Sequence, residues 1–277
     1  METRSKFRIV DLVVGLGCLA LVLMTLGAVG QTGRGRAKEA VCQANLHQWR
    51  GIFLDYIKDN DGSFLTGVST NGYWWPMQLS QEYQDWKRNR AWFCPEAVIP
   101  MMDANGRSSP RSNVFSAWGI FNTPTEATYQ AKTYTMNANG LAGSYSLNGY
   151  TLKIEDRYEG GISRTVGWAD LADVPEPERV PLFIDALRFD LWPSHTDSPA
   201  AIEDVTWSES NMARCCINRH DGAVNCLFVD GSVRKVGLKE LWTLKWHRLF
   251  DTTGPWTLAG GVQPEDWPEW IRLFKDY

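Results

Sequence analysis

The sequence predicts an α+β fold. One long N-terminal helix, membrane-spanning in its first half, lies on a small antiparallel sheet, with a loop-rich insertion and a C-terminal hairpin and helix. Three observations predict this. Residues Ile9 to Gly30 form an apolar run whose only charge is Asp11. A stripe at helical period continues from Ala37 to Tyr56. From residue 59 on, short β-forming runs alternate with connections rich in Pro, Gly, Ser and Asn.

The apolar run, IVDLVVGLGCLALVLMTLGAVG, has 22 residues. As a helix it spans roughly 33 Å, enough to cross a hydrocarbon core of about 30 Å. A buried core helix seldom lacks polar positions over this length. A cleaved signal peptide is the rival reading: METRSKFR is a basic n-region, and Ala28-Val29-Gly30 places small residues before Gln31. Against it, the run is long for an h-region and begins with an acid. Arg4, Lys6 and Arg8 precede the span and Arg34, Arg36 and Lys38 follow it, so the positive-inside bias nearly cancels. The short N-terminal and long C-terminal sides suit a cytoplasmic N-terminus and an extracytoplasmic bulk. A carboxylate at a helix centre costs about 2.5–3.5 kcal/mol on insertion scales. Asp11 sits within one turn of the end, where it either reaches the headgroups or pairs with a positive group inside the membrane.

After a Gly-rich joint, Gly30 to Gly35, the chain turns helical again. Each Gly costs about 1 kcal/mol relative to Ala in a helix, so Gly33 and Gly35 are a weak point in one rod. Ala37, Ala40, Val41, Ala44, Trp49, Ile52, Phe53 and Tyr56 fall close to one face. Asn60-Asp61-Gly62 is the stop signal. In Ser144 to Tyr150 the Asn148-Gly149 pair signals a hairpin. Val180 to Leu187 reads as a buried strand. Ala223–Val229, Asp230-Gly231 and Ser232–Val236 form a hairpin around an Asp-Gly turn. Leu238 to Phe250 reads as a helix with Trp242 and Trp246 on one face.

The 277 residues suffice for one large domain or two small ones, and the formal net charge of -4 gives no electrostatic reason to expect nucleic acid. There are 14 Trp, more than ordinary usage. Large rings of this number fill a core or form a surface for stacking. Trp74-Trp75, in a loop, are the candidates for contact with carbohydrate.

The sequence has no Gly-x-Ser-x-Gly, His-Glu-x-x-His or phosphate-binding loop. His195 and His247 show no metal-ligand spacing with His220. His220 and Asp230 read as a strand entry and a turn rather than an acid–base pair. No catalytic residue, metal or cofactor is expected; an envelope hydrolase with scattered carboxylates, which need no local motif, is the third reading. Six Cys are present without a C-x-x-C pair. Cys42, on the helix, and Cys94, in Phe93-Cys94-Pro95, are the expected disulfide, worth about 2–4 kcal/mol; two buried free thiols are the alternative.

These pieces together resemble the type IV prepilin-like, or pseudopilin-like, proteins that carry a C-terminal motif of His, nine residues and Asp-Gly. Here the motif is His220, Asp221 to Val229, then Asp230-Gly231. Cys42-Gln43-Ala44-Asn45-Leu46, Phe93-Cys94-Pro95, Ser144-Tyr145 through Tyr150, and Trp242 to Arg248 are further landmarks in the family's order. The resemblance implies a prepilin leader cut before Phe7 and an acid at the fifth mature position, which is Asp11. Asp11 would then meet the α-amino group of a neighbouring Phe7 during assembly. Lys6 stands where the family has Gly, and Asp11 where it usually has Glu.

The implied segments are a leader-like 1–6, a transmembrane helix half 7–30, an amphipathic half 31–58 and an extracytoplasmic domain 59–277. The implied function is a non-enzymatic, membrane-anchored subunit of a cell-envelope filament or type II secretion-like apparatus. Its partners would be other pilin-like subunits, inner-membrane assembly machinery and lipid. A carbohydrate-binding module on a membrane anchor is the alternative.

Overall fold

The computed structural model describes residues 9–66, 75–79, 81–86, 88–100, 113–121, 126–129, 132–135, 140–154, 157, 162–203 and 210–277. Helix α1 spans Ile9–Asp59, and its side chains are described from residue 33 on. Lys6, Phe7, the Asp11 side chain and Trp74 lie outside the described residues, as does the apolar face of the expected membrane span. Among the described residues no helix is long and apolar enough to cross a membrane.

The C-terminal part of α1 packs through Cys42, Asn45, Leu46, Trp49, Ile52, Phe53 and Ile57, all buried. This i, i+3, i+4, i+7 set is turned from the expected stripe. Ala37, Ala40 and Ala44 face outward, and Val41 is 50% exposed. The rotation follows the large residues: Trp49, Phe53 and Leu46 bury far more apolar area than the alanines do. The stop at Asn60-Asp61-Gly62 is as expected. Asp61 and Gly62 both take left-handed backbone, and Gly62 N–H returns to Ile57 O at 2.9 Å.

Among the described residues ten strands follow: β1 (Ile99–Pro100), β2 (Ser116–Phe121), β3 (Glu126–Tyr129), β4 (Lys132–Thr135), β5 (Gly140–Gly143), β6 (Tyr145–Asn148), β7 (Pro181–Asp185), β8 (Asp190–Leu191), β9 (Ala223–Phe228) and β10 (Val233–Gly237). The main sheet has five strands in the order β10-β9-β7-β6-β8. It is mixed rather than antiparallel, because β8 joins β6 in parallel, pairing Leu147 with Asp190. A small sheet β1-β2-β5 and the β3-β4 pair make up the insertion. The β9-β10 hairpin forms as expected around Asp230-Gly231, with Val233 opposite Leu227.

Helix α1 lies across β7, β9 and β10. Trp49 stacks on Phe183 with centroids 5.1 Å apart, and Phe53 meets the same ring edge-on at 5.8 Å. Trp75 and Trp92 close around Trp49 at 5.6 and 4.7 Å. Most of the described tryptophans thus fill the core.

Two expected elements are corrected. Ser144 to Tyr150 is not a hairpin: β6 runs straight into a 3-10 turn, Gly149–Thr151. The Asn148 side chain caps that turn by accepting from Tyr150 N–H at 3.1 Å, and its amide donates to Pro181 O and Trp246 O. A side chain at 149 would collide with the Trp192 indole. Leu238 to Phe250 is not a helix beyond the 3-10 turn Lys239–Thr243. Its backbone is claimed elsewhere: Lys245 N–H pairs with Arg179 O at 3.0 Å, and Leu241 O accepts the Trp246 indole N–H at 2.9 Å. Trp242 instead meets Trp256 and Trp267.

Candidate functional site

Where α1 crosses the end of β7, four side chains from distant parts of the chain converge. Cys42 comes from α1, Cys94 from the loop after the 3-10 turn Arg90–Trp92, Asp185 from the end of β7, and His220 from the turn leading into β9. All four are buried, and their ligand-type atoms lie within 4.8 Å of one another.

Local structure explains each placement. On β7, Phe183 and Asp185 share the face toward α1, since side chains alternate along a strand. Asn45 donates its amide to Phe93 O at 2.8 Å, and Trp49 donates its indole N–H to Ala91 O at 2.8 Å. These two bonds hold the Cys94 loop against the helix, with Cys94 N–H on Ser144 Oγ at 2.6 Å. His220 N–H bonds Ala223 O at 3.0 Å, and the left-handed Asp221 and Gly222 complete the turn. Asn218 caps it through Gly222 N–H.

Asp185 is the hub. Its Oδ2 lies 3.1 Å from His220 Nε2, accepts from Asn225 N–H at 2.9 Å, and meets Cys42 Sγ at 3.5 Å. Its Oδ1 accepts from Arg219 Nη1 at 3.1 Å. Arg219 also donates to Val114 O, Ser144 O and Ser116 O at 2.8, 3.1 and 3.0 Å. The buried guanidinium is thereby satisfied, as a charge in low dielectric must be. Cys94 Sγ lies 3.3 Å from His220 Nε2. Tyr145 Oη donates toward Cys42 Sγ and Cys42 O, each at 3.3 Å.

The protonation pattern follows from this packing. Burial works against an ionised Asp185, yet His220, Arg219 and the Asn225 N–H hold its carboxyl at about 2. Burial works against a charged His220, and the Asp185 carboxylate pushes it up to about 10. Burial opposes the Cys94 thiolate too, but hydrogen bonds from Cys42 and His220 bring it down to about 7. Burial raises the Cys42 thiol well above its ordinary value.

The set Cys94, His220 and Asp185 contains the residue types of a thiol protease, but not its geometry. A nucleophile relay uses one imidazole nitrogen for the nucleophile and the other for the carboxylate. Here the same nitrogen, Nε2, faces both Cys94 and Asp185. Cys94 is 1% exposed, so a substrate has no approach to it. Convergence of two sulfurs, one imidazole nitrogen and one carboxylate oxygen on a common point is instead the donor set of a tetrahedral metal site.

The sequence-based site residues fare differently. Cys42 and Cys94 do come together, as the disulfide expectation requires, but as free thiols facing Asp185 and His220. Cys215, Cys216 and Cys226 are likewise free and buried. His220 and Asp230 stand at opposite ends of β9, so the nine-residue spacing measures one strand of the hairpin. Asp230 is exposed and accepts from Ser232 N–H and Oγ at 2.8 and 2.7 Å. Gly231 has positive φ, and a Cβ there would press on the Arg50 side chain of α1. Trp75 is corrected from surface to core: it is 1% exposed, with its indole N–H on Phe189 O at 2.9 Å. The flanking rings of Trp49, Trp92 and Phe183 leave it no free face.

Sequence reasoning missed Asp185 and Arg219, and with them a metal-type donor set where none was expected. Two signals were present: an acid inside the apolar run Val180 to Leu187, and a cation next to the motif histidine. Comparison with family models, curated proteins and solved structures gives no match.

Proposed function

We propose that the chain is a non-enzymatic, membrane-anchored subunit of pilin-like or pseudopilin-like type, acting in a cell-envelope filament or a type II secretion-like apparatus. The observation that carries this reading is the way α1 leaves the domain. The helix runs 51 residues without a break. Residues 33–38 are all exposed, with Lys38 paired to Glu96 at 2.9 Å, and among the described side chains of α1 the first buried one is Cys42. A helical stretch with no packed face draws little stability from the domain beside it. The N-terminal part of the same helix is the apolar run from Ile9 to Gly30, long enough to span a bilayer.

In this reading Asp11 pairs with the α-amino group of a neighbouring subunit's Phe7, and lipid and inner-membrane machinery surround the span. The globular part is extracytoplasmic. The carbohydrate-binding reading loses one of its two residues with the burial of Trp75.

Membrane fractionation tests the proposal. Full-length chain expressed in a bacterial envelope should resist alkaline extraction, and external protease should digest the domain once the outer barrier is opened. Recovery of the intact chain in the soluble fraction would contradict it.

A further inference from the structure

We propose that Cys42, Cys94, Asp185 and His220 bind one structural divalent metal ion of the zinc class, which fastens α1 to the globular domain.

The spacing of the donor atoms carries the proposal. Zinc bonds of about 2.0 Å to nitrogen or oxygen and about 2.3 Å to sulfur give tetrahedral edges of roughly 3.3–3.8 Å. The Nε2–Oδ2, Sγ–Nε2 and Sγ–Oδ2 edges here are 3.1, 3.3 and 3.5 Å. All four atoms fall within 4.8 Å of one another. A small inward or outward adjustment of side chains turns this hydrogen-bonded knot into a coordination shell.

Charge supports it. Two thiolates and a carboxylate carry three negative charges, and a divalent cation with Arg219 carries three positive ones, so the buried centre is neutral. Coordination sends to solvent the protons of the Cys42 and Cys94 thiols and the proton on His220 Nε2.

The surroundings have the form of a supporting shell. Arg219 and Asn225 orient the Asp185 carboxylate, and Tyr145 donates to the Cys42 sulfur. Such outer partners orient metal ligands and tune their affinity. Mixed thiolate and imidazole donors favour zinc over the harder cations magnesium and calcium. All donors are buried with no vacant approach, which fits a structural rather than a catalytic ion. The ion would join α1, the Cys94 loop, the end of β7 and the entry of β9.

The test uses full-length chain extracted in mild detergent, with thiols alkylated at lysis in one aliquot and chelators omitted. Elemental analysis should find about one zinc per chain, as the one donor set among the described residues requires. Cys94→Ser and His220→Ala should lose it, while Cys216→Ser, outside the cluster, should keep it. Chelator-stripped wild-type protein titrated with cobalt(II) should develop thiolate-to-cobalt charge transfer and tetrahedral ligand-field bands, saturating at one equivalent. Tyr145→Phe should lower cobalt affinity by about 10–100-fold without changing the stoichiometry. Wild-type protein with no bound metal and no cobalt spectrum would overturn the proposal. A Cys42–Cys94 disulfide in the alkylated aliquot would do the same.

Discussion

Arg219 Nη1 and Asp185 Oδ1 lie 3.1 Å apart, and neither side chain has any exposed surface. Breaking such a pair from one side leaves an uncompensated buried charge, at a cost of about 3–5 kcal/mol. Arg219→Met should therefore destabilise the domain by that order. Arg219→Lys should recover little, because one ammonium cannot reach Val114 O, Ser116 O, Ser144 O and Asp185 together. Denaturant titration of the full chain measures both; wild-type stability in the Lys variant would refute the network.

Trp75→Ala should lose about 3–5 kcal/mol, the usual cost of deleting a buried large ring. The loss combines the packing on Trp92, Trp49 and Phe183 with the hydrogen bond to Phe189 O. A thermal melt followed by near-ultraviolet circular dichroism reports it. An unchanged midpoint would place Trp75 at the surface instead.

Gly149→Ala should cost about 1–3 kcal/mol, as overpacking does. The new Cβ would strike the Trp192 indole, and the 3-10 turn that Asn148 caps leaves it no room to retreat. The denaturation midpoint should fall with the slope unchanged. A midpoint equal to wild type would contradict this packing.

His247 sets a pH dependence. Its ring lies 4.5 Å from that of Tyr150, and its Nδ1 accepts from Leu249 N–H at 3.2 Å, so the neutral form is the one that fits. Burial, and then the charges of Lys245 and His195, lower it to about 4 from an ordinary 6.5. The unfolded chain thus takes up a proton near pH 6.5 that the folded chain refuses until about 4. Stability from this group is full above pH 6.5, declines as pH falls from 6.5 to 4, and levels off below. Unfolding free energies at pH 7 and 4.5 should differ more for wild type than for His247→Asn. Equal differences would exclude the residue.

The legible parts of the fold were those written in local chemistry. Asn60-Asp61-Gly62 ends α1 because two successive left-handed residues stop a helix, and in Asp230-Gly231 the glycine alone takes the left-handed backbone that closes the hairpin. The buried strand at Val180 to Leu187 was legible from its apolar run. Trp242 and Trp246 misled, since four-residue spacing on a helix presumes free carbonyls, and Leu241 O is taken by an indole. The Asn148-Gly149 pair also misled: Gly149 is there for the Trp192 ring rather than for a two-residue turn. The site was legible only in pieces. Cys42, Cys94 and His220 stood out as landmarks, but what joins them is Asp185, placed by the pairing of β7 with β9 across 40 residues. Such pairing has no local signature.

The mature N-terminus of membrane-extracted protein is the most direct test of the proposed pilin-like assembly role. Intact-mass and N-terminal analysis should find the apolar segment retained, with the chain beginning at Phe7 after leader cleavage or at Met1 without it. An N-methylated Phe7 would be the signature of the prepilin route. A chain beginning at Gln31 would contradict the role, because the segment holding Asp11 would have been discarded as a signal peptide.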